Sequence, residues 1–531
     1  MSTLNSQQAE AVNLTAKKIL CLAGAGTGKT FSMISRISRL VDEGVDPSSI
    51  LVLTFTNAAA FEMQQRYRKS HMNQQMPNFR TFHSYCYSLI ATDPAIRKSL
   101  GYSKVPNIAD EYDMQKLSQT ALMQSGVHLS KKQIQQGNNL SIQQEYELDL
   151  YKKFLDKLLK QENLITFDIL CYSVCDLFVK DAECIRNQKE QYKYIFVDEF
   201  QDTDPRQYDF VSSFKDANLF VVGDALQAIY SFRGADSSII KRLANDPEWV
   251  TVKLYQNYRS TKPICNFANR MSTYADKSYR IEIASDKDGP TVFVDDGSMV
   301  SWNEPVDGIH CESVAVSLTE CKGTSAVLCR TNAEVDYMIE FLESRGISCR
   351  TGKRNVDATH ILKSVLDNRY MIDWLSTFLN ANKYAEYIRI SFIEDYQNPL
   401  QGFLENFGSA RGIEERASCV LKIRSILKAP GKLAFQRCSD ILNVLDIKNV
   451  IIDTNAITVA EILDYLMSVV NEEESSDIYV GTIHSSKGLE YDNVFLLGVG
   501  DKSFKLNSED NKNLYYVGIT RAKTNLYVYT V

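Results

Sequence analysis

Two segments far apart in the chain hold residue types that together can hydrolyse a nucleoside triphosphate: AGAGTGKT at Ala23–Thr30 and VDEFQD at Val197–Asp202. In the first, Gly24, Gly26 and Gly28 permit a tight turn through Ala25, Gly26, Thr27 and Gly28. The N–H groups of such a turn point inward, and the helix that follows adds the positive end of its dipole, so phosphate oxygens are attracted. Lys29 can reach the terminal phosphates, and the Thr30 hydroxyl can hold Mg²⁺. In the second segment an apolar run, YIFV, ends in Asp198 and Glu199. Asp198 would bind Mg²⁺ directly or through water, and Glu199 would orient and deprotonate the attacking water. An Asp-Glu pair alone is ordinarily a solvated loop. Here it follows a buried strand, at the end where parallel sheets put their ligands.

Elements of matching type surround both segments. Ile19–Leu22 is short and apolar enough for a buried strand, and Phe31–Leu40 has the pattern of a helix. Strand-like runs at Ile50–Phe55, Tyr194–Val197, Leu219–Val222 and Val250–Leu254 complete a first parallel α/β block. It is interrupted between about Ile90 and Gln191 by polar, helix-rich sequence too long for a loop. A second block contains Val292–Val294, Ser325–Cys329, Ile478–Thr482, Val494–Leu497 and Leu526–Tyr529, and is interrupted from about Asn355 to Asn471 by helical sequence. NEEESSD at Asn471–Asp477 has the composition of an exposed return linker. The expected fold class is therefore α/β, with domains at 1–90 plus 191–260, a helical insertion at 91–190, a second core at 261–354 plus 472–531, and a shorter helical insertion at 355–471.

Composition sets the outer bounds. The chain has 531 residues, 44% apolar and 24% charged, the profile of an ordinary globular protein of two to four domains. No apolar run approaches the ~18–20 residues of a membrane span. The start, MSTLNSQQAEAV, lacks the basic and apolar regions of a secretion signal, so a cytoplasmic location is expected. Cys171, Cys175 and Cys184 come closest to a cysteine cluster among twelve cysteines, but they lack a CxxC pair and are expected to be buried thiols rather than a metal site. The net charge of −7 excludes a wholly basic coat for nucleic acid, yet it allows a basic groove.

Further motifs now give a family. LNSQQ at Leu4–Gln8 lies just upstream of the phosphate loop, and TFTNAAAFEM at Thr54–Met63, RTFHSY at Arg80–Tyr85, VDEFQDTD at Val197–Asp204, VVGDALQAIYSFRGA at Val221–Ala235, NYRS at Asn257–Ser260, VGTIHSSKGLEYDNVFL at Val480–Leu496 and LYYVGITRAK at Leu514–Lys523 follow it in family order. The chain resembles the UvrD/Rep-like superfamily 1A DNA helicases over nearly its whole length. That resemblance implies two RecA-like motor domains, each with a mainly helical insertion, ATP and Mg²⁺ as ligands, and single-stranded DNA, junctions or tailed duplexes as track. It implies that Gln8 reads the adenine edge, Tyr258 stacks on the base, Glu490 lies near the ribose, and Gln227 senses the γ-phosphate. Arg259 and Arg521 would be the cations that stabilise the transferring phosphoryl group. Phe55, Tyr230, Phe232 and His484, with Phe82 and His83, match strand-contacting positions, where stacking contributes about 1–3 kcal/mol per base whatever the sequence. Translocation from 3′ to 5′ is implied by the resemblance, not by spacing.

One departure lies at Phe31, where the family usually has Arg helping to sandwich the base. The sequence ends at Val531, directly after the last strand, and the second insertion is short for a housekeeping repair helicase. Besides a helicase of repair, recombination or replication, these features suit the motor subunit of a multi-protein system, such as a Gabija-like antiphage pair with a separate nuclease. A non-enzymatic, nucleotide-dependent scaffold would predict loss of Lys29, Glu199 or Arg521, and all three are present.

Overall fold

The computed structural model of the chain describes residues 4–71, 75–109, 111–130, 133, 134, 141–295, 308–351, 361, 362, 364, 365, 413–429, 433–445, 447, 459–471, 476–500 and 504–530. By contact density they form two compact units, 1–334 with 482–531, and 335–481.

In the first unit six parallel strands make one sheet: β1 (Lys18–Ala23), β2 (Ile50–Thr54), β3 (Asn78–Thr81), β6 (Tyr194–Val197), β7 (Asn218–Gly223) and β8 (Val250–Leu254), in the order β3-β2-β6-β7-β1-β8. The two-residue strands β4 (Asn107–Ile108) and β5 (Leu164–Ile165) pair with each other elsewhere. β1, β2, β6 and β7 are apolar and covered on both faces, so their sequence is a continuous hydrophobic run rather than an alternation. Helix α1 (Ser6–Asn13) precedes β1, α2 (Lys29–Asp42) follows it, and α3 (Asn57–Ser70) follows β2. Met33, Ile34, Ile37 and Leu40 repeat at helical spacing on α2 and join Val52, Phe196 and Val222 in one core. Burial of each such side chain contributes roughly 1.5–3 kcal/mol. Because the strands are parallel, the phosphate loop after β1, the acidic pair after β6 and Gly223-Asp224 after β7 emerge at one edge of the sheet.

β3 was not expected. Its sequence, NFRT, is polar, and as an edge strand it buries only alternate residues. RTFHSY therefore straddles two elements: the end of β3 and the start of α4 (Phe82–Thr92). Thr81 caps that helix, its hydroxyl accepting from Ser84 N at 3.1 Å while Ser84 Oγ accepts from Thr81 N at 2.8 Å.

Between β3 and β6, Pro94–Ser99, Glu111–Ser125, Ile142–Gln161 and Phe167–Val179 are helices, and Leu117, Ala121, Leu148, Tyr151 and Leu155 share a small core of their own. Later in the chain, β10 (Ser325–Cys329), β13 (Tyr491–Val499) and β14 (Ala522–Thr530) lie side by side, and β9 (Phe293–Asp295) pairs with β14, all parallel. β13 and β14 are each longer than the apolar run in their sequence, since the ladder continues through Tyr491 and Asn493 against Ala522 and Asn525.

In the second unit β11 (Arg350–Thr351) pairs in parallel with the start of β12 (Ile478–Thr482). Helices Ile413–Lys428, Ala434–Val444 and Val459–Asn471 bury Val420, Ile423, Ile441, Leu463 and Leu466 in a common core. Most of the first half of the expected second insertion and the centre of the Glu-rich linker lie outside the described residues. Among the described residues no helix is long and apolar enough to cross a membrane.

Candidate nucleotide site and aromatic path

A cleft of about 1040 Å³ in the first unit is lined by the phosphate loop, the acidic pair and residues from the last fifty positions of the chain. The loop is shaped by its own backbone. Gly26 and Gly28 have φ of 68° and 84°, which favours glycine. A Cβ on Gly26 would sit 2.7 Å from the Asn257 amide, and one on Gly28 would sit 2.8 Å from Gln8 Nε2. Those two side chains hold the loop in place. Asn257 Nδ2 donates to Ala25 O at 2.7 Å, Gln8 Nε2 donates to Thr27 O at 3.0 Å, and Tyr258 N donates to Gly26 O at 2.8 Å. The Thr27 hydroxyl closes the turn on Gly24 O at 2.8 Å. Lys29 and Thr30 open α2 and face the cleft.

Glu199 adopts a left-handed conformation, φ 49°, immediately after β6. For a non-glycine residue this costs on the order of 1 kcal/mol, and the surroundings must enforce it. Gln201 does so: its Nε2 donates to Glu199 Oε2 at 2.6 Å while its Oε1 accepts from Asp224 N at 3.0 Å, tying the loop after β6 to the loop after β7. Lys29 Nζ lies 3.7 Å from Glu199 Oε2. Burial works against the charge of Glu199, but Lys29, Lys487, the Gln201 amide and Arg521 outweigh it and bring its pKa down to about 2. Asp198 goes the other way. Burial, then the neighbouring Glu199 charge, push it up to about 7. One of its carboxylate oxygens is buried with no hydrogen-bond partner among the described residues. A divalent cation supplies what is missing there, so this donor set fits Mg²⁺.

Three cations reach the cleft from the end of the chain or the NYRS segment. Lys487 bonds Asp202 Oδ2 at 2.5 Å and Gln227 O at 2.8 Å. Arg521, 2% exposed, donates to Val517 O at 3.0 Å and Leu489 O at 3.2 Å, and its remaining nitrogen lies 3.5 Å from Gln227 Oε1. Burial and the nearby Arg259 bring the Arg521 pKa down to about 9. Arg259 donates to Glu490 at 2.6 Å and to Thr520 O at 3.1 Å, and Lys523 is 3.2 Å from the other Glu490 oxygen. Gln227 in turn donates to Asp224 at 2.7 Å.

The base end is less closed. Tyr258 is about half exposed, with its hydroxyl accepting from Asn5 Nδ2 at 2.7 Å. Gln8 is buried as the third helical residue of α1, where its carbonyl accepts from Asn5 N at 3.2 Å in a capping box. Its amide already serves the cap and the loop, so reading a base uses what hydrogen-bonding capacity remains.

Beside the acidic loop lies a series of rings. Phe55 and Tyr230 are parallel with centroids 6.0 Å apart, Tyr230 meets Phe232 at 6.0 Å, and Phe232 meets His484 at 5.6 Å. Lys487 Nζ sits 4.7 Å over the Tyr230 ring and Arg233 5.2 Å from it. Burial, with Arg330, Arg233 and Lys487 nearby, lowers the His484 pKa to about 4, so that ring is neutral at pH 7.

The structure thus brings together Gln8, Ala25–Thr30, Asp198, Glu199, Gln227, Tyr258, Arg259, Glu490 and Arg521, and separately Phe55, Tyr230, Phe232 and His484. Phe82 is a correction. It is 3% exposed and meets Phe210 edge-on at 6.2 Å, because the first turn of α4 faces the core; it offers no face to a strand. His83 lines the cleft but pairs with Phe167 rather than with the other rings. Sequence reasoning did not single out Asn257, Gln201, Asp224 or Lys487. Each lies inside a quoted motif, but only the fold gives it a partner.

Residues 4–248 match the UvrD/REP helicase N-terminal domain, and residues 394–531 match the UvrD-like helicase C-terminal domain. The chain belongs to the UvrD-like superfamily 1 helicases. It is 27% identical to the ATP-dependent DNA helicase PcrA of Staphylococcus aureus, across 99% of this chain and 83% of that protein. The same identity and coverage hold for the PcrA of Staphylococcus epidermidis. UvrD-like helicases are DNA-dependent ATPases, and the cleft geometry of this member is of that kind: loop, acidic pair and late arginine surround one space.

Proposed function

We propose that this chain is an ATP-driven motor that moves 3′ to 5′ along single-stranded DNA and opens junctions or tailed duplexes. The observation that carries this reading is Lys487. One ammonium group contacts the acidic loop at Asp202, the backbone of Gln227 and the face of Tyr230. The γ-phosphate side and the ring series are therefore joined through a single side chain, and a change in either reaches the other. The PcrA relatives, by their name, act on DNA with ATP, which supports the same track.

In the proposed reaction water attacks the γ-phosphorus as the bond to the ADP oxygen breaks. Glu199, kept ionised by its cationic neighbours, takes the proton of that water. Lys29, Arg259 and Arg521 face the charge that spreads over the γ-oxygens. Thr30 and Asp198 would hold Mg²⁺, which would supply further charge neutralisation. Arg259 and Glu490 are paired, so ribose contact by Glu490 and phosphate contact by Arg259 are coupled. Tyr258 and Phe31 enclose the base. Phe55, Tyr230, Phe232 and His484 take bases in turn, with His83 at the margin.

In this reading residues 1–90 with 191–260 are the first motor domain, 261–354 with 472–531 the second, and 91–190 and 355–471 their insertions. A second reading, as the motor subunit of a defence or replication complex with a separate nuclease, draws on one finding. The alignment with PcrA spans 623 positions against a chain of 531 residues, so those relatives contain internal segments that this chain lacks. Steady-state ATPase with and without single-stranded DNA, with Glu199→Gln as control, tests the motor; strand displacement on 3′- and 5′-tailed duplexes tests polarity. Stimulation by DNA that the control loses is expected. ATP binding without stimulation would reject the autonomous motor and favour the partner-dependent one.

A further inference from the structure

Three cysteines gathered behind the cleft, one of them (Cys171) in its wall, have no part in phosphoryl transfer. Cys86 lies on α4, and Cys171 and Cys175 lie on helix Phe167–Val179, which packs against it. Cys171 and Cys175 are four residues apart and so share one face of their helix. Their sulfur atoms and that of Cys86 all lie within 4.8 Å of one another, and all three residues are buried. Zn–S bonds of about 2.3 Å in a tetrahedral site set sulfurs roughly 3.8 Å apart, so a small contraction closes the observed group around an ion.

Cys171 and His83 also line the cleft, so an ion would enter, and a fourth ligand would come, from that side.

We propose that Cys86, Cys171 and Cys175 are a zinc site, with three thiolates from the protein and a fourth ligand from the cleft side. Binding exchanges the thiol protons for the ion. Its role is to fasten the inserted helix Phe167–Val179 to α4, whose first turn follows β3 directly. Gln207, beside Cys171, lies in the helix that follows the acidic loop, so the ion would also fix that loop from behind.

The full chain, expressed with zinc and purified under a phosphine reductant, is desalted and its metal measured by mass spectrometry. Zinc is then replaced by Co²⁺ and the near-ultraviolet thiolate-to-metal absorption recorded. About one zinc per chain, a thiolate–Co²⁺ band and a lower Tm after chelation are expected. Outer-shell changes alone cost 10–100-fold in affinity, so Cys86→Ser and Cys175→Ser should each weaken Zn²⁺ binding by roughly 100-fold or more, while Cys184→Ser, outside the group, should not. The wild-type measurement decides even if a variant fails to fold. Folded wild-type protein that retains no zinc and develops no thiolate–Co²⁺ band overturns the proposal, as does equal loss in Cys184→Ser or a metal-free disulfide among the three.

Discussion

On the part of the cleft built by the first sheet, the phosphate loop is a backbone structure. The loop at Ala25–Gly28 is set by two positive-φ glycines and by Asn257 and Gln8, which donate to its carbonyls. On the part built by the NYRS segment and residues 487–521, the groups that face the cleft are side chains: Lys487 held on Asp202, Arg259 on Glu490, Arg521 on the carbonyls of Val517 and Leu489. The first arrangement is ready for any triphosphate. The second consists of cations already paired with protein acceptors, with which phosphate competes. Binding is thus preorganised on one side, and the chemical step waits on the other. This is the asymmetry a motor requires, since a rigid site on both sides would hydrolyse ATP without reference to its track.

The comparison is broken most directly at Arg521. Its replacement by Ala should lower the DNA-stimulated kcat by about 10³-fold or more, within the range for an arginine that completes a phosphoryl-transfer site, with little change in ATP affinity. Steady-state kinetics beside a nucleotide titration separates the two. A loss of affinity equal to the loss of kcat would mean that both sides are preorganised. Arg521→Lys should keep the fold yet recover little turnover, because a point charge cannot replace the fork.

Glu199→Gln acts on the side fixed by the first sheet and should cost about 10²–10⁴-fold in kcat while sparing ATP binding. The amide is close in shape, but Gln201 Nε2 then loses a charged acceptor, so a small drop in Tm is expected as well. Retained turnover in single-turnover assays would move the role of base elsewhere.

How much of this was visible beforehand follows the same division. The phosphate loop and the acidic pair were legible because local sequence makes them: glycines that turn, a strand that ends in carboxylates. Ile19–Leu22 and Tyr194–Val197 were found because buried parallel strands are written as uninterrupted apolar runs. β3 was missed because an edge strand such as NFRT needs no such run. Phe82 was misjudged because an aromatic at the start of a helix has the same sequence whether its first turn faces core or solvent. Lys487 and Asp202, 285 positions apart, were each within a recognised motif, but no sequence pattern records that they meet. The thiol group was hidden for the same reason, since Cys86 joins Cys171 and Cys175 only through helix packing, while Cys184, nearer in sequence, bonds Ser99 instead.

Tyr230→Ala sharpens the comparison at the ring series. Stacking contributes about 1–3 kcal/mol per base, so affinity for single-stranded DNA should fall roughly tenfold, measured by fluorescence anisotropy. The ammonium of Lys487 would keep Asp202 and Gln227 and lose only the ring beneath it, so unstimulated ATPase should stay near the wild-type rate. Unaltered DNA affinity would make Tyr230 a packing residue.

The smallest effect tests the first-sheet side without any turnover. Asp198 has a folded-state pKa of about 7 against an ordinary 3.8, raised by burial and by Glu199. Between those values the folded chain holds a proton that the unfolded chain has released, so its stability declines as pH rises from about 4 to 7. Above that window the native protein carries an ionised, buried carboxylate with an unpartnered oxygen. Asp198→Asn removes the charge, and at pH 8 without Mg²⁺ it should be more stable than wild type by on the order of 2 kcal/mol, with the difference vanishing near pH 4. Asp202, raised to about 6 by burial against the pull of Lys487, slopes the same way in both proteins, so the difference between their melting curves is the measurement rather than either curve. Adding Mg²⁺ and ATP should then stabilise wild type and not the variant. A variant less stable than wild type at pH 8 would mean that the Asp198 charge is already compensated within the protein, and the cation would have to be held by other groups.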